Sequence, residues 1–460
     1  MRKGLWKEVP TKRRHTETKT GGGIHTGLPP QEIPAGMATD MENLHSGVYP
    51  HLSPRPSRST GIVGKLPTGE VRYFGRIFGT TLAAVVGRSL YIWKSGAWKS
   101  AGVLFTASTG KVYEADFMDF AVFADGNECK KYNGETISAV GQKGNPENAR
   151  FLATHAWHLF TASDKDKYLR YCAVENIQDW SAPGDAGQEL VETTKEAYAG
   201  GLVSYGGHII YFKKNAMFEL YGTDPVNFSL LCLSRDIGCV SQNSIVEIGG
   251  ILYFAGADGI YRYSGGKLPA KISFPIQKYM EAVDAGRAEE IAAGSDGERY
   301  YLVLPQKDGT SCVLAYDTRV GEWYREDSVP LVSFAAWEGV LYGAAADGTV
   351  YAFGQGTEKV RWYRVSPPYT SGTSLHQNWH RIYIQSQMEE GAYFTVSLSP
   401  WAAGEGFRTL ATVREGGQAV LDVPPRMQDA PQMRIKIEGE GNVVISAIEF
   451  QLRERKRSYI

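Results

Sequence analysis

The Asp-Gly pairs of three Ala-Asp-Gly runs, two pairs of neighbouring histidines and two clusters of Lys and Arg are the residues of this chain whose types and spacing could do chemistry. Asp125-Gly126, Asp258-Gly259 and Asp347-Gly348 would suit calcium if each stood in a run of oxygen donors at loop spacing. They stand without one, and Asp-Gly readily takes the positive φ angles of a tight hairpin. All six residues are therefore read as hairpin formers. His155 and His158, in FLATHAWHLF, read as positions i and i+3 of one strand and so point to opposite faces. His376 and His380 fall in a polar linker. Neither pair makes a zinc site, and the adjacent carboxylates Glu289-Glu290 read as the solvated face of a short helix.

The basic clusters lie at the two ends. Arg2, Lys3, Lys12, Arg13 and Arg14 stand near the start, and Arg453, Arg455, Lys456 and Arg457 near the finish. Such clusters are ordinarily solvated tails. In a ring of subunits they would instead touch neighbours, or line a DNA path and contact phosphates without reading sequence. The formal net charge of −1 argues against a nucleic-acid footprint over the whole body. The sequence carries no GxSxG elbow, HExxH, phosphate loop or dinucleotide fingerprint. It nominates no carboxylate pair for a glycosidase. The expectation is a protein with no catalytic, metal or cofactor site.

The elements that would carry these residues are strands. Residues 251–267, ILYFAGADGIYRYSGGK, read as apolar strand, turn, alternating strand and glycine turn. The unit recurs at 120–134, FAVFADGNECKKYNG, and at 340–356, VLYGAAADGTVYAFGQG, with Ala-Asp-Gly at the same place in the turn. Self-similar β units recurring along one chain are the signature of a propeller. Blade starts are predicted near Val71, Lys111, Phe151, Leu202, Ile245, Ile291 and Val332. The fold class is all-β, with a propeller of six or seven blades over 59–365. Trp98, Trp180 and the Trp323-Tyr324 pair would pack blade on blade. Residues 275–293 show helical spacing and predict one or two short helices between blades.

Two flanking regions differ in texture. Residues 1–58 are rich in Pro and Gly and predict an extended N-terminal arm that orders against a neighbouring subunit. Residues 366–460 alternate over six or seven strands and predict a β-sandwich with a basic C-terminal tail. Five scattered cysteines, Cys129, Cys172, Cys232, Cys239 and Cys312, form no CxxC and read as reduced residues of an intracellular chain. No apolar run approaches a membrane span, and the start lacks the apolar stretch of a signal peptide.

The order of parts resembles a family of phage virion proteins. Residues 43–56, NLHSGVYPHLSPRP, lead into a propeller with GGHIIYFKKNAMFELY at 206–221 and IGCV at 237–240. Short helices follow from Pro275, then Tyr316-Asp317 with Trp323, and finally ISAIEFQLRER at 445–455. Over about 40–455 this is similar to the tail-hub, or head-stabilisation, proteins of short-tailed phages. The resemblance implies a homo-oligomeric ring of six or twelve copies in the neck or tail of a virion, assembled in the host cytoplasm. Its partners would be the portal and adaptor above and a spike, fibre or needle below. It would retain packaged DNA, with no membrane and no cofactor. The alternative is a lectin-like receptor-binding or head-decorating virion protein.

Overall fold

A computed structural model of the chain describes residues 12–192, 198–370, 377–400 and 406–454. Between 71 and 352 the strands form seven successive antiparallel sheets, six of four strands and one of three. Their first strands are Val71–Ile77, Tyr113–Phe117, Phe151–His155, Ala199–Tyr205, Val246–Ile248, Ala292–Ser295 and Leu331–Trp337. In each sheet the neighbours follow sequence order, so every unit is a meander, the blade of a β-propeller. Apolar clusters fill the space between consecutive blades. Phe74, Leu82 and Ala84 of the first blade pack with Tyr342 and Ala344 of the seventh, which closes the circle. The blade number is seven.

The seventh blade supplies only three strands of its own, ending at Val350–Ala352. Chain from before the first blade lies against that edge. Ser59 exchanges both backbone hydrogen bonds with Ala352, at 3.0 and 2.7 Å, and Gly356 N donates to Ser57 O at 3.0 Å. Further on, Leu66 N donates to Gly348 O at 2.8 Å. The ring is held shut by sequence from its opposite end, which satisfies an edge that would otherwise offer unpaired groups.

The second body is a sandwich of two five-stranded sheets. One has the order Lys12–Glu17, Val443–Glu454, Gln377–Met388, Gly417–Asp422, with Asp429–Ala430 beside the third. The other runs Asp40–Glu42, Arg361–Val365, Met433–Glu440, Tyr393–Pro400, Arg408–Val413. Period-two burial explains the pairing of faces: Met433, Ile435 and Ile437 are buried, and the residues between them are half-buried. Two boundaries differ from expectation. Arg361–Val365 belongs to the sandwich, so the propeller ends before it. The segment expected as an arm ordering against a neighbouring subunit folds, over its described residues, into its own chain: it gives a strand to each sheet and an edge to the seventh blade. Leu44 is buried there, whereas Val48 and Tyr49 stay exposed.

A buried ion pair crosses the sandwich. Glu17, on the first sheet, accepts from Arg364 Nη2 of the second at 2.7 Å and also from the Tyr369 hydroxyl. Arg364 donates in addition to Met37 O at 3.0 Å. Taking either partner away would strand the other's charge or donors out of water, which generally costs about 3–5 kcal/mol. Proline-rich chain can take this course because its backbone needs few ladder bonds of its own, and these side chains fix where it goes.

Residues 43–58 join the two bodies. Asn43 adopts φ 60°, donates to Arg361 O at 2.8 Å, and accepts from Arg55 Nε at 2.8 Å and Asp327 N at 2.9 Å. Arg55 and Arg58 pair with Glu326 and Asp327 at the end of the sixth blade. Ser46 donates to Asp317, whose side chain is fully buried and also accepts from Arg319 Nη2 at 2.8 Å. One continuous core then runs from Tyr300, Tyr316 and Trp323 through Ile24, Leu44 and Leu52 to Ile382, Phe394 and Phe450. Burial pushes the Asp317 carboxyl up, but the Arg319 and Ser46 hydrogen bonds outweigh it and lower it to about 2. A folded-state value below the ordinary one of about 3.9 means stability that is complete above about pH 4 and is lost as pH falls towards 2. Denaturant unfolding followed across that window should show this loss in the native protein and a flatter profile in Asp317→Asn.

Candidate functional site

The three Asp-Gly pairs all lie in four-residue loops between the second and third strands of a blade. The loops are 125–128, 256–259 and 346–349. Aspartate is the first, third and second residue of the respective loops, so the pairs do not occupy one register as the sequence pattern implied. Asp125 is a tie between blades: its Oδ1 accepts from the backbone of Asn127 and Glu128 at 2.9 and 2.8 Å, and Oδ2 meets Arg72 Nη2 at 3.1 Å. Arg72, from the first blade, also donates to the carbonyls of Gly110, Ala107 and Gly87. Both side chains of this pair are 1% exposed. Asp258 works within its own blade, accepting from the Tyr261 hydroxyl at 2.7 Å and pairing with Lys271 at 3.1 Å. Asp347 is exposed and accepts from Thr349 N at 2.9 Å.

Their glycines differ too. Gly126 and Gly348 have φ of 87° and 85°, the left-handed values expected of hairpin glycines. Gly259 does not. There a Cβ would lie 2.5 Å from Ser273 Oγ and 2.3 Å from Lys271 Cε, so glycine serves close approach rather than φ.

His155 and His158 correct the sequence reading. They belong to two strands, Phe151–His155 and His158–Ala162, joined by Ala156 and Trp157 at φ 48° and 64°. Cross-strand partners face the same side of a sheet, so these rings share a face. Each meets a carbonyl: His155 Nε2 with Gly222 O and His158 Nδ1 with Cys172 O, both at 2.6 Å. Among the described residues no group of three or more His, Cys, Asp or Glu sits together as a metal site would need. No helix among them is long and apolar enough to cross a membrane. His376 lies outside the described residues.

The described members of the two basic clusters lie on neighbouring strands. Strand Lys12–Glu17 pairs antiparallel with Val443–Glu454, placing Lys12 opposite Arg453, Arg13 opposite Leu452 and Arg14 opposite Gln451. Arg14 reaches Glu449 at 3.2 Å. Residues from both chain ends thus share one outer edge of the sandwich. Arg2, Lys3, Arg455, Lys456 and Arg457 lie outside the described residues.

One recess among the described residues is at one end of the propeller, where the starts of several blades meet. It is a cavity of about 700 Å³ covered on one side by Ala285–Glu290, the last turn of the segment between the fifth and sixth blades that also forms Phe274–Ile276 and Gln277–Glu281. Its wall is apolar at Val71, Val240, Val303, Leu331 and Val332. Three cations enter it from different blades, Lys111 before the second, Arg150 before the third and Lys214 in a turn of the fourth, and Arg287 of the insert, paired with Glu290 at 2.7 Å, lines it as well. Glu289 crosses from the roof, with Oε1 2.8 Å from Lys214 Nζ and Oε2 3.3 Å from Arg150 Nη2. Burial works against its charge, and Lys214 and Arg150 outweigh that to hold the carboxyl below its ordinary range. Glu289 is therefore a tether across the axial mouth rather than one of two solvated carboxylates. Lys111 Nζ donates to Val332 O at 3.2 Å, and burial lowers its pKa. Sequence reasoning missed all three cations because nothing local marks them; only closure of the ring brings them together.

No protein-family model and no curated protein matches the chain. Three solved structures resemble it at 10% identity. The extracellular domain of BT4673 from B. thetaiotaomicron aligns with a TM-score of 0.44, over 71% of this chain and 43% of its own. BamB from Moraxella catarrhalis aligns at 0.40, over 62% and 82%. The computationally designed Ika8 protein aligns at 0.40, over 63% and 98%. The chain thus spans less than half of the BT4673 domain it matches.

The contrast among the turns is measurable. Asp125→Asn leaves Arg72 charged and unpaired in the interior, so urea unfolding should show a loss on the order of 3 kcal/mol. Asp347→Asn, at an exposed turn, should stay within about 0.5 kcal/mol.

Proposed function

We propose that this chain is a structural subunit of a phage neck or tail hub, assembled as a homo-oligomeric ring between the portal-adaptor region and the distal tail. The observation that carries the reading is the place of residues 43–56. The passage on which the family resemblance rests is also the one that fastens propeller to sandwich, through Asn43, Arg55 and the buried Leu44 and Leu52. A ring under load from packaged DNA needs subunits that do not hinge, and this passage turns two bodies into one. The basic edge formed by both chain ends gives such a ring a surface to set against phosphates or a neighbouring subunit. The role is mechanical and needs no reacting group. Lateral contacts in an obligate ring would each bury well over about 1,000 Å².

Electron microscopy of purified particles tests the reading directly: six or twelve copies should appear in a ring at the neck or tail. Particles that are complete and infectious without this chain would refute it.

A second reading, receptor binding at a host surface, is favoured by Trp157. It stands 66% exposed in its two-residue turn, at the propeller end opposite the roofed cavity. Aromatic faces of this kind stack on sugar rings. On a glycan array the native chain would give discrete signals that Trp157→Ala loses, whereas a purely structural subunit gives none.

A further inference from the structure

We propose that the axial cavity is a binding site for a carboxylate carried on an apolar body, seated between Lys111, Arg150 and Lys214. The idea does not depend on the assembly role above. It rests on Glu289, which shows within the chain what the site accepts. One carboxylate already spans Arg150 and Lys214, using one oxygen for each, while Lys111 Nζ donates to the Val332 carbonyl and lies within the field of Glu290 and Glu70. A second carboxylate, or one replacing Glu289, would sit among Lys111, Arg150 and Lys214, with burial disfavouring the Lys111 charge and Glu290 and Glu70 partly offsetting it. Apolar walls with a few convergent charges are the ordinary make-up of a ligand pocket, and about 700 Å³ is within the usual size.

Exchange is mechanically simple. The roof backbone is anchored, because Ser241 Oγ donates to the carbonyls of Glu289 at 3.1 Å and Ile291 at 2.6 Å. Only the Glu289 side chain must move, and it is 48% exposed, as is its partner Lys214 at 49%. Half-exposed ion pairs are weak, so an incoming anion competes on favourable terms. Arg150 keeps its second partner, Asp164, whichever carboxylate is present.

Two probes carry the same chemistry from different sources: octanoate as a free acid, and N-acetyl-Leu-Glu-Leu-amide as an acidic side chain within a peptide. Isothermal titration into the full chain should show one of them binding. Glu289→Gln should tighten that probe about fivefold or more, and Lys111→Met and Lys214→Met should each weaken it by a similar factor. Binding of octanoate alone assigns a free amphipathic acid, and binding of the peptide alone assigns an acidic segment of a partner chain. Melting curves that match the native chain would show the variants folded. If neither probe binds Glu289→Gln at millimolar concentration, or if binding ignores Lys111→Met, the site is not what is proposed.

Discussion

A ring of sheets made from one chain must be closed by something other than the repeat itself. Six blades bring four strands each, and the seventh stops at three. The missing edge is met by Ser57 and Ser59, which lie just ahead of the first blade. The same run of chain, followed backwards, passes between propeller and sandwich and ends as strands in both sandwich sheets. Closure of the ring, docking of the second body and completion of that body are thus one event. Loosening the segment would expose a sheet edge, the core that runs through Leu44 and Leu52, and the buried Glu17–Arg364 pair together. Large losses from one segment are what a cooperative fold of this length requires, since each body alone would leave apolar surface uncovered.

Charge is used sparingly and in particular places. Buried pairs stand at joints: Arg72 with Asp125 between the first two blades, Arg58 with Glu326 at the arm, and Arg364 with Glu17 across the sandwich. Arg72 donates further to three backbone carbonyls and Arg364 to one, and such added bonds help a buried pair repay its desolvation. None adds much net stability over an apolar contact. Their value is specificity, because a misplaced blade or arm would leave a charge without its partner. The cavity cations are different in kind. They meet where three blades converge, and the carboxylate that pairs with two of them is half-exposed.

Much was legible before the fold was known. Alternation placed six of the sandwich strands and the starts of seven blades to within a few residues, because period-two burial is a local property of each strand. The helical spacing after Pro275 likewise marked a short helical insert. Where local signals were short, the reading slipped. His155 and His158 looked like one strand because a two-residue turn of Ala156 and Trp157 contains neither Gly nor Asn. The three Asp-Gly pairs looked equivalent because the dipeptide marks a turn without saying which position it fills.

The sequence by itself determined the strands, their grouping into repeats and the presence of a second β body, since each follows from hydrophobic periodicity and turn chemistry within about 45 residues. Tertiary structure alone decided the rest. A Pro- and Gly-rich segment has no period to betray its partner, so only contacts such as Asn43 with Arg361 and Ser59 with Ala352 reveal it as the fastening of the whole chain. Lys111, Arg150, Lys214 and Glu289 lie on separate blades and an insert, and no spacing along the chain relates them. They face one another because seven sheets close around an axis, a distance relation that exists only in the folded ring.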